Sequence, residues 1–176
     1  MADFEVHIDL NGRTRLVGLA RSNRARGTET ILFEYDGTWL ADLDRFSLEP
    51  ALALTRGAFA PPAGLATLGS IGDSAPDTWG RRLMQRAERK LAEREGRTVR
   101  TLAESDYLLG VADETRLGAL RFRCVGEQVF QAPICASVPA LIELGRLLQI
   151  TERIFRDEET EEDLQLIIAP GSSLGG

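Results

Sequence analysis

The chain is poor in the residues that most often carry site chemistry: two cysteines, one histidine and one lysine in 176 residues. Cys124 and Cys135 lie eleven positions apart and His7 sits far from both, so no zinc pattern or Cys/His nucleophile pair assembles locally. Metallohydrolase and thiol-protease chemistry are therefore set aside; the thiols read as structural and His7 as an ordinary strand histidine. No run approaches the ~20 apolar residues of a membrane helix. The opening "MADFEVHIDLNG" has neither the basic start nor the apolar stretch of a secretory leader. A cytoplasmic protein with no membrane partner is expected.

What is present, 43% hydrophobic and 27% charged residues, describes one ordinary domain or two small ones. A chain of this length buries roughly 70% of the surface its unfolded form exposes, enough for a core without disulfides or metals. The net charge of -6 hides segregation. Residues 13–26 carry five arginines and no acid, and residues 81–100 carry eight basic residues against Glu88, Glu93 and Glu95. Residues 152–163 hold seven acids against Arg153 and Arg156. A solvated helix face followed by an acidic connector is the favoured reading. A nucleic-acid face is the weaker alternative, because the overall balance is acidic and aromatics do not interleave with the arginines.

Along the chain, Phe4, Val6, Ile8 and Leu10 alternate with polar residues, and Asn11-Gly12 supplies a two-residue hairpin turn. A second strand through residues 16–20 and a β-branched, aromatic third over 28–35 follow, and Asp36-Gly37 repeats the turn chemistry before Trp39. Residues 41–72, rich in Pro, Gly and Ala, read as irregular chain wrapping the sheet. Ser74 and Asp77 form a capping box with Pro76 in the first turn of a long helix. Its apolar face is Trp79, Leu83, Met84, Ala87 and Leu91, and Gly96 ends it. Thr101 with Glu104 starts a helix to Leu109; residues 117–123 and "EQVFQ" read as strands. Ser137 and Pro139 open a helix reaching toward Phe155, and Thr160 with Asp163 caps another segment. Trp79 and Phe122 read as core. Asp73 and Asp77, beside Arg81 and Arg82, read as capping and pairing groups rather than acid/base catalysts.

The apolar run of residues 164–168 leads into Gly171, Ser172, Ser173, Leu174, Gly175 and Gly176. Glycines there leave backbone N–H groups free to approach phosphate oxygens, although no G-K-[ST] follows to make a Walker A loop. By composition alone this is a Gly/Ser tail. A chain ending inside such a loop suggests a longer protein cut short.

Several separated phrases, "VHIDLNGRTRLVGLA", "FEYDGTWL", "FSLEPALAL", "SIGDSAPDTWGRRLMQRAERK", "GVADETRLGALRF" and "GSSLGG", stand in an order that resembles the N-terminal portion of HipA-like serine/threonine protein kinases. These are the toxins of HipBA-type type II toxin–antitoxin systems, and the resemblance spans nearly the whole chain. It implies an α+β fold: an N-terminal antiparallel β-meander or barrel-like sheet with packed helices, leading into the start of a protein-kinase-like lobe. Residues 1–130 would be the N-terminal subdomain, and residues 131–176 a helical connector with the Gly-rich loop.

The resemblance further implies that residues 171–176 cover ATP phosphates and that Ser173, with Ser172 as neighbour, is autophosphorylated. A phosphoserine adds roughly -1.5 to -2 charge where ATP phosphates sit, so it would expel the loop. ATP and Mg²⁺ are the implied cofactors of a full-length protein. The implied partners are a HipB-like helix-turn-helix antitoxin, indirectly operator DNA, and a protein substrate such as an aminoacyl-tRNA synthetase. Kinase catalysis needs a phosphate-binding lysine and two aspartates, which should lie beyond Gly176; Lys90, on an arginine-rich helix, is rejected as a stand-in. Two or three loop N–H bonds alone leave affinity of about millimolar or weaker, so this chain by itself is expected to be inactive and without a cofactor. Arg81, Arg82, Arg86, Arg89 and Arg94 are candidate phosphate contacts, with a solvated face favoured. A stand-alone module that binds and restrains a separate kinase is the alternative.

Overall fold

The computed structural model describes residues 3–25, 27–113, 116–130 and 144–168. Strand β1 (Asp3–Leu10) turns into β2 (Arg13–Ala25) through Asn11 and Gly12, with φ of 54° and 72°. Both turn residues take the positive φ that a two-residue hairpin with right-handed strand twist requires. Strand β3 (Thr28–Tyr35), the short β4 (Ala58–Phe59) and β5 (Leu120–Cys124) complete an antiparallel sheet in the order β4-β3-β2-β1-β5. With β4 and β5 at opposite edges the sheet is open, not barrel-like.

The six helices among the described residues are α1 (Gly37–Ala41), α2 (Gly69–Gly72), α3 (Thr78–Arg94), α4 (Glu104–Leu109), α5 (Leu144–Phe155) and α6 (Glu161–Ile168). The α+β expectation is met by this arrangement. The alternation read in β1 is real: Phe4, Val6 and Ile8 are buried in one cluster with Val17, Ile31, Phe33, Tyr35, Trp39 and Phe122. The 41–72 segment does wrap the sheet, since Leu52 and Leu68 enter that core and Tyr35 Oη donates to the Leu52 carbonyl at 3.3 Å. It is not irregular throughout, because it contributes β4 and α2. A second, smaller cluster holds Leu83, Ile150, Ile154, Leu164 and Ile167 between α3, α5 and α6, with Trp79 packed at its margin.

Four local expectations are corrected. Asp36-Gly37 is not a strand turn: Asp36 is extended, with φ -70° and ψ 145°, and its carboxylate accepts from the Thr38 amide at 2.7 Å, capping α1. The cap of α3 is Asp77 rather than Ser74; its carboxylate accepts from the Gly80 amide at 2.8 Å, so Pro76 precedes the helix. Helix α4 starts three residues after Thr101, where Asp106 accepts from the Ala103 amide at 2.8 Å. Residues 127–130 are not a strand, and Phe130 instead places its ring edge-on to His7 at 5.1 Å. Two capping expectations hold. Gly96, at φ 62°, follows the end of α3, and Thr160 and Asp163 exchange side-chain to amide bonds at the start of α6. Ser137 and Pro139 lie outside the described residues.

Candidate functional site

The loop singled out by the sequence, Gly171, Ser172, Ser173, Leu174, Gly175 and Gly176, lies outside the described residues, as does Cys135. The described chain that leads toward it is α6, and what α6 rests on is the basic helix α3. That juxtaposition brings the basic block of residues 81–100 against the acidic block of residues 152–163.

Helix α3 has two working sides. Toward α4, the Arg81 guanidinium forms a two-pronged ion pair with Glu104, donates to the Pro76 carbonyl at 2.9 Å and lies 4.7 Å over the Tyr107 ring. The Glu104 carboxylate raises the Arg81 pKa, so this residue is a fixed cation. Gln85 donates to Tyr107 Oη at 2.7 Å. Toward α5 and α6, the cations sit one helical turn apart. Arg86 pairs with Asp157 at 2.8 Å and Glu159 at 3.2 Å, and donates to the Ile154 carbonyl at 2.9 Å. Lys90 is 3.9 Å from Glu159, and Arg94 is 2.6 Å from Glu161. Three cations of the basic block read as a solvated face, Arg86, Lys90 and Arg94, thus take their counterions from the acidic connector.

Arg82 and Arg89, also proposed as phosphate contacts, are exposed. Of the five candidate arginines, Arg81, Arg86 and Arg94 are thus engaged by carboxylates of this same chain. A shallow depression at the start of α6 is lined by Arg94, Thr160, Glu161, Glu162 and Gln165. Its two carboxylates outnumber its one cation, which is the wrong sign for a triphosphate. Asp77 is occupied in capping, and Arg81 faces Glu104 rather than pairing with it as an i,i+4 partner.

Two carboxylates on these helices are held strongly ionised. The Arg97 guanidinium, at 2.6 Å, brings Glu88 down to about 2, with the Arg100 amide adding to it. Arg153 and the Thr160 cap bring Asp163 to about 2. Groups so firmly deprotonated and paired act as structural anions rather than proton donors at neutral pH. Burial pushes the Cys124 thiol up, which makes it a poor nucleophile. Among the described residues no group of three or more His, Cys, Asp or Glu converges as a metal site would, and no helix is long and apolar enough to cross a membrane.

Two buried polar clusters escaped the sequence reading. Glu29 is buried where β3 meets α4; it accepts from Ser22 Oγ and Ser105 Oγ at 2.5 Å and from the Ser105 amide at 2.9 Å. Burial alone would push its pKa up, but those donors outweigh it and the net direction is down. It works as a remote cap on the first turn of α4. Arg116 is buried against Phe122, 4.6 Å over the ring, and donates to the Ser74, Leu108 and Val111 carbonyls at 2.8, 2.8 and 2.9 Å. Burial lowers its pKa to about 10, leaving it charged at neutral pH. Both clusters join elements distant in sequence, and short-range patterns contain no trace of such pairings. The charge segregation between residues 81–100 and 152–163 was the one visible signal for the α3 contact.

Searched against protein-family models and against curated proteins, the chain matches none.

Proposed function

We propose that this chain is the N-terminal part of a HipA-like serine/threonine protein kinase toxin. The observation that carries the reading is the order of the separated phrases along the sequence, from the β1–β2 hairpin to "GSSLGG". The helix-start phrase "PDTWGRR" supports it with definite structural work. Asp77 caps, Trp79 packs on the α5–α6 cluster, Gly80 is buried at the cap, and Arg81 clamps Glu104.

In this reading residues 171–176 form the ATP-phosphate loop, with Ser173 the autophosphorylated residue and Ser172 its neighbour. The depression beside α6 carries more carboxylates than cations, the wrong sign for ATP phosphates, and Lys90 faces Glu159. In the same reading the phosphate-binding lysine, the catalytic aspartate, the metal and the nucleotide belong to polypeptide following Gly176. A kinase-like lobe, a HipB-like antitoxin, operator DNA bound through that antitoxin, and an aminoacyl-tRNA synthetase-like substrate belong to the same proposal.

The test is the product of the whole reading frame, incubated with ATP and Mg²⁺ and examined by mass spectrometry. Phosphate on Ser173 or Ser172, lost in the double Ser172→Ala, Ser173→Ala variant, is the expected result, while residues 1–176 alone incorporate none. A frame that stops after Gly176, or phosphate transfer by residues 1–176 alone, overturns it.

A second reading, a module that binds and restrains a separate kinase, is favoured by one observation: the larger core is closed among residues 4–122. The 176-residue chain would then retain a separately expressed kinase in a pull-down, and no retention retires that reading.

A further inference from the structure

We propose that residues 157–161 are an electrostatic latch: they hold the α5–α6 pair on α3 and let that pair lift as a unit while the sheet stays folded. The inference does not depend on the reading of residues 171–176. It begins with the rungs. Arg86, Lys90 and Arg94 stand at successive turns of one helix, and Asp157, Glu159 and Glu161 meet them in the same order along the chain. Glu159 forms the inner rung, with its side chain 5% exposed, whereas Asp157 and Arg94 at the outer rungs are 79% and 59% exposed.

The corner between the helices is held in an uncommon way. The Glu158 amide donates to the Arg153 carbonyl at 2.9 Å and the Asp157 amide to the Ile154 carbonyl at 3.2 Å, the two bonds of a Schellman helix end. The left-handed residue of that motif is usually glycine, but here it is Asp157, at φ 57°. A left-handed aspartate costs backbone energy, and its carboxylate lies on Arg86, so the strained corner and the outer rung are one feature.

Beneath the rungs, the apolar seam is the small cluster of Leu83, Ile150, Ile154, Leu164 and Ile167, distinct from the sheet's cluster. Lifting α5 and α6 therefore uncovers that seam without opening the aromatic core. Cooperative units of this kind open locally with their own free energy.

Screening decides which rungs yield first. The Debye length falls from roughly 10 Å at about 0.1 M salt to about 3 Å at about 1 M, and exposed pairs are screened far more than buried ones. Sodium chloride should loosen the outer rungs while the Glu159 rung persists.

Hydrogen exchange of the 176-residue chain, in low and high sodium chloride at constant pH, reads this directly. Amides of α5 and α6 should exchange about two- to five-fold faster in high salt for each outer rung released, with β1, β2 and β3 unchanged. Arg94→Glu should give the same acceleration in low salt, and the reversed pair Arg94→Glu with Glu161→Arg should restore protection. Arg94→Gln serves if Arg94→Glu fails to fold. Equal exchange of α5 and α6 in both salts, exchange of α5 and α6 only together with the sheet, or failure of the reversed pair to restore protection overturns the latch.

Discussion

The sheet region and the α3–α5–α6 region are held by different physics. The sheet is closed by large side chains with almost no exposure: Phe4, Phe33, Trp39 and Phe122, with edge-to-face rings such as Phe33 on Tyr35 at 4.9 Å. The helical region has a thin aliphatic seam and is finished by ion pairs, Arg86 with Asp157 and Glu159, Arg94 with Glu161, and Arg153 with Asp163. The sheet carries ion pairs too, Glu5 with Arg123 and Arg24 with the buried Glu29. Its closure nevertheless rests on non-directional burial, so salt and pH should act on it less than on the helices. The helical region depends on carboxylates staying ionised and on water not screening them.

Substitutions can break this contrast, beginning with the largest effect. Phe33→Ala removes a fully buried ring beside Tyr35 and should cost about 3–5 kcal/mol, unfolding the whole chain in a urea titration. Ile154→Ala in the seam should cost about 2–4 kcal/mol locally. Its signature is lost exchange protection in α5 and α6 while the urea midpoint of the sheet holds. A midpoint shift as large as that of Phe33→Ala would merge the two regions into one.

Glu29→Gln tests the polar cluster between β3 and α4, on the sheet's side of the contrast. The amide cannot serve all the donors that converge on the carboxylate, so about 1–3 kcal/mol should be lost by thermal melting. Acid should separate the regions further. Glu88 and Asp163 have folded pKa values of about 2, below their ordinary values of 4.5 and 3.8. The stability they contribute is full above those ordinary values and is lost as pH falls from about 5 toward about 2. Hydrogen exchange across an acid titration should show α3 and α6 loosening before β1 and β2.

The smallest effect compares two helix ends of the same design. Gly96 closes α3 at φ 62° and Asp157 closes α5 at φ 57°. Gly96→Ala should lower stability by about 1 kcal/mol, since a side chain resists that conformation. Asp157→Gly relieves strain but loses the Arg86 pair, so its melting temperature should stay within about a degree or two of the parent.

The legibility of this fold in its sequence follows the range of the interactions. The Asn11-Gly12 hairpin, the alternation of β1, the Gly96 stop and the Thr160/Asp163 cap were readable because each is settled within a few residues. Asp36-Gly37 misled because the same dipeptide serves a hairpin or a helix cap, and the Thr38 amide two residues on decided for the cap. Ser74 lost to Asp77 because both can cap and Pro76 fits either register; tertiary packing of Trp79 and Arg81 chose between them. At the α3 surface, the two charge blocks were visible but their meeting was not, because Arg86 and Glu159 lie 73 residues apart in sequence.

Native-state hydrogen exchange in rising denaturant tests the two-region account most directly. The account predicts that amides of α5 and α6 open at a distinctly lower free energy than those of β1, β2 and β3, which converge on global unfolding. A single opening free energy shared by all of them would contradict it.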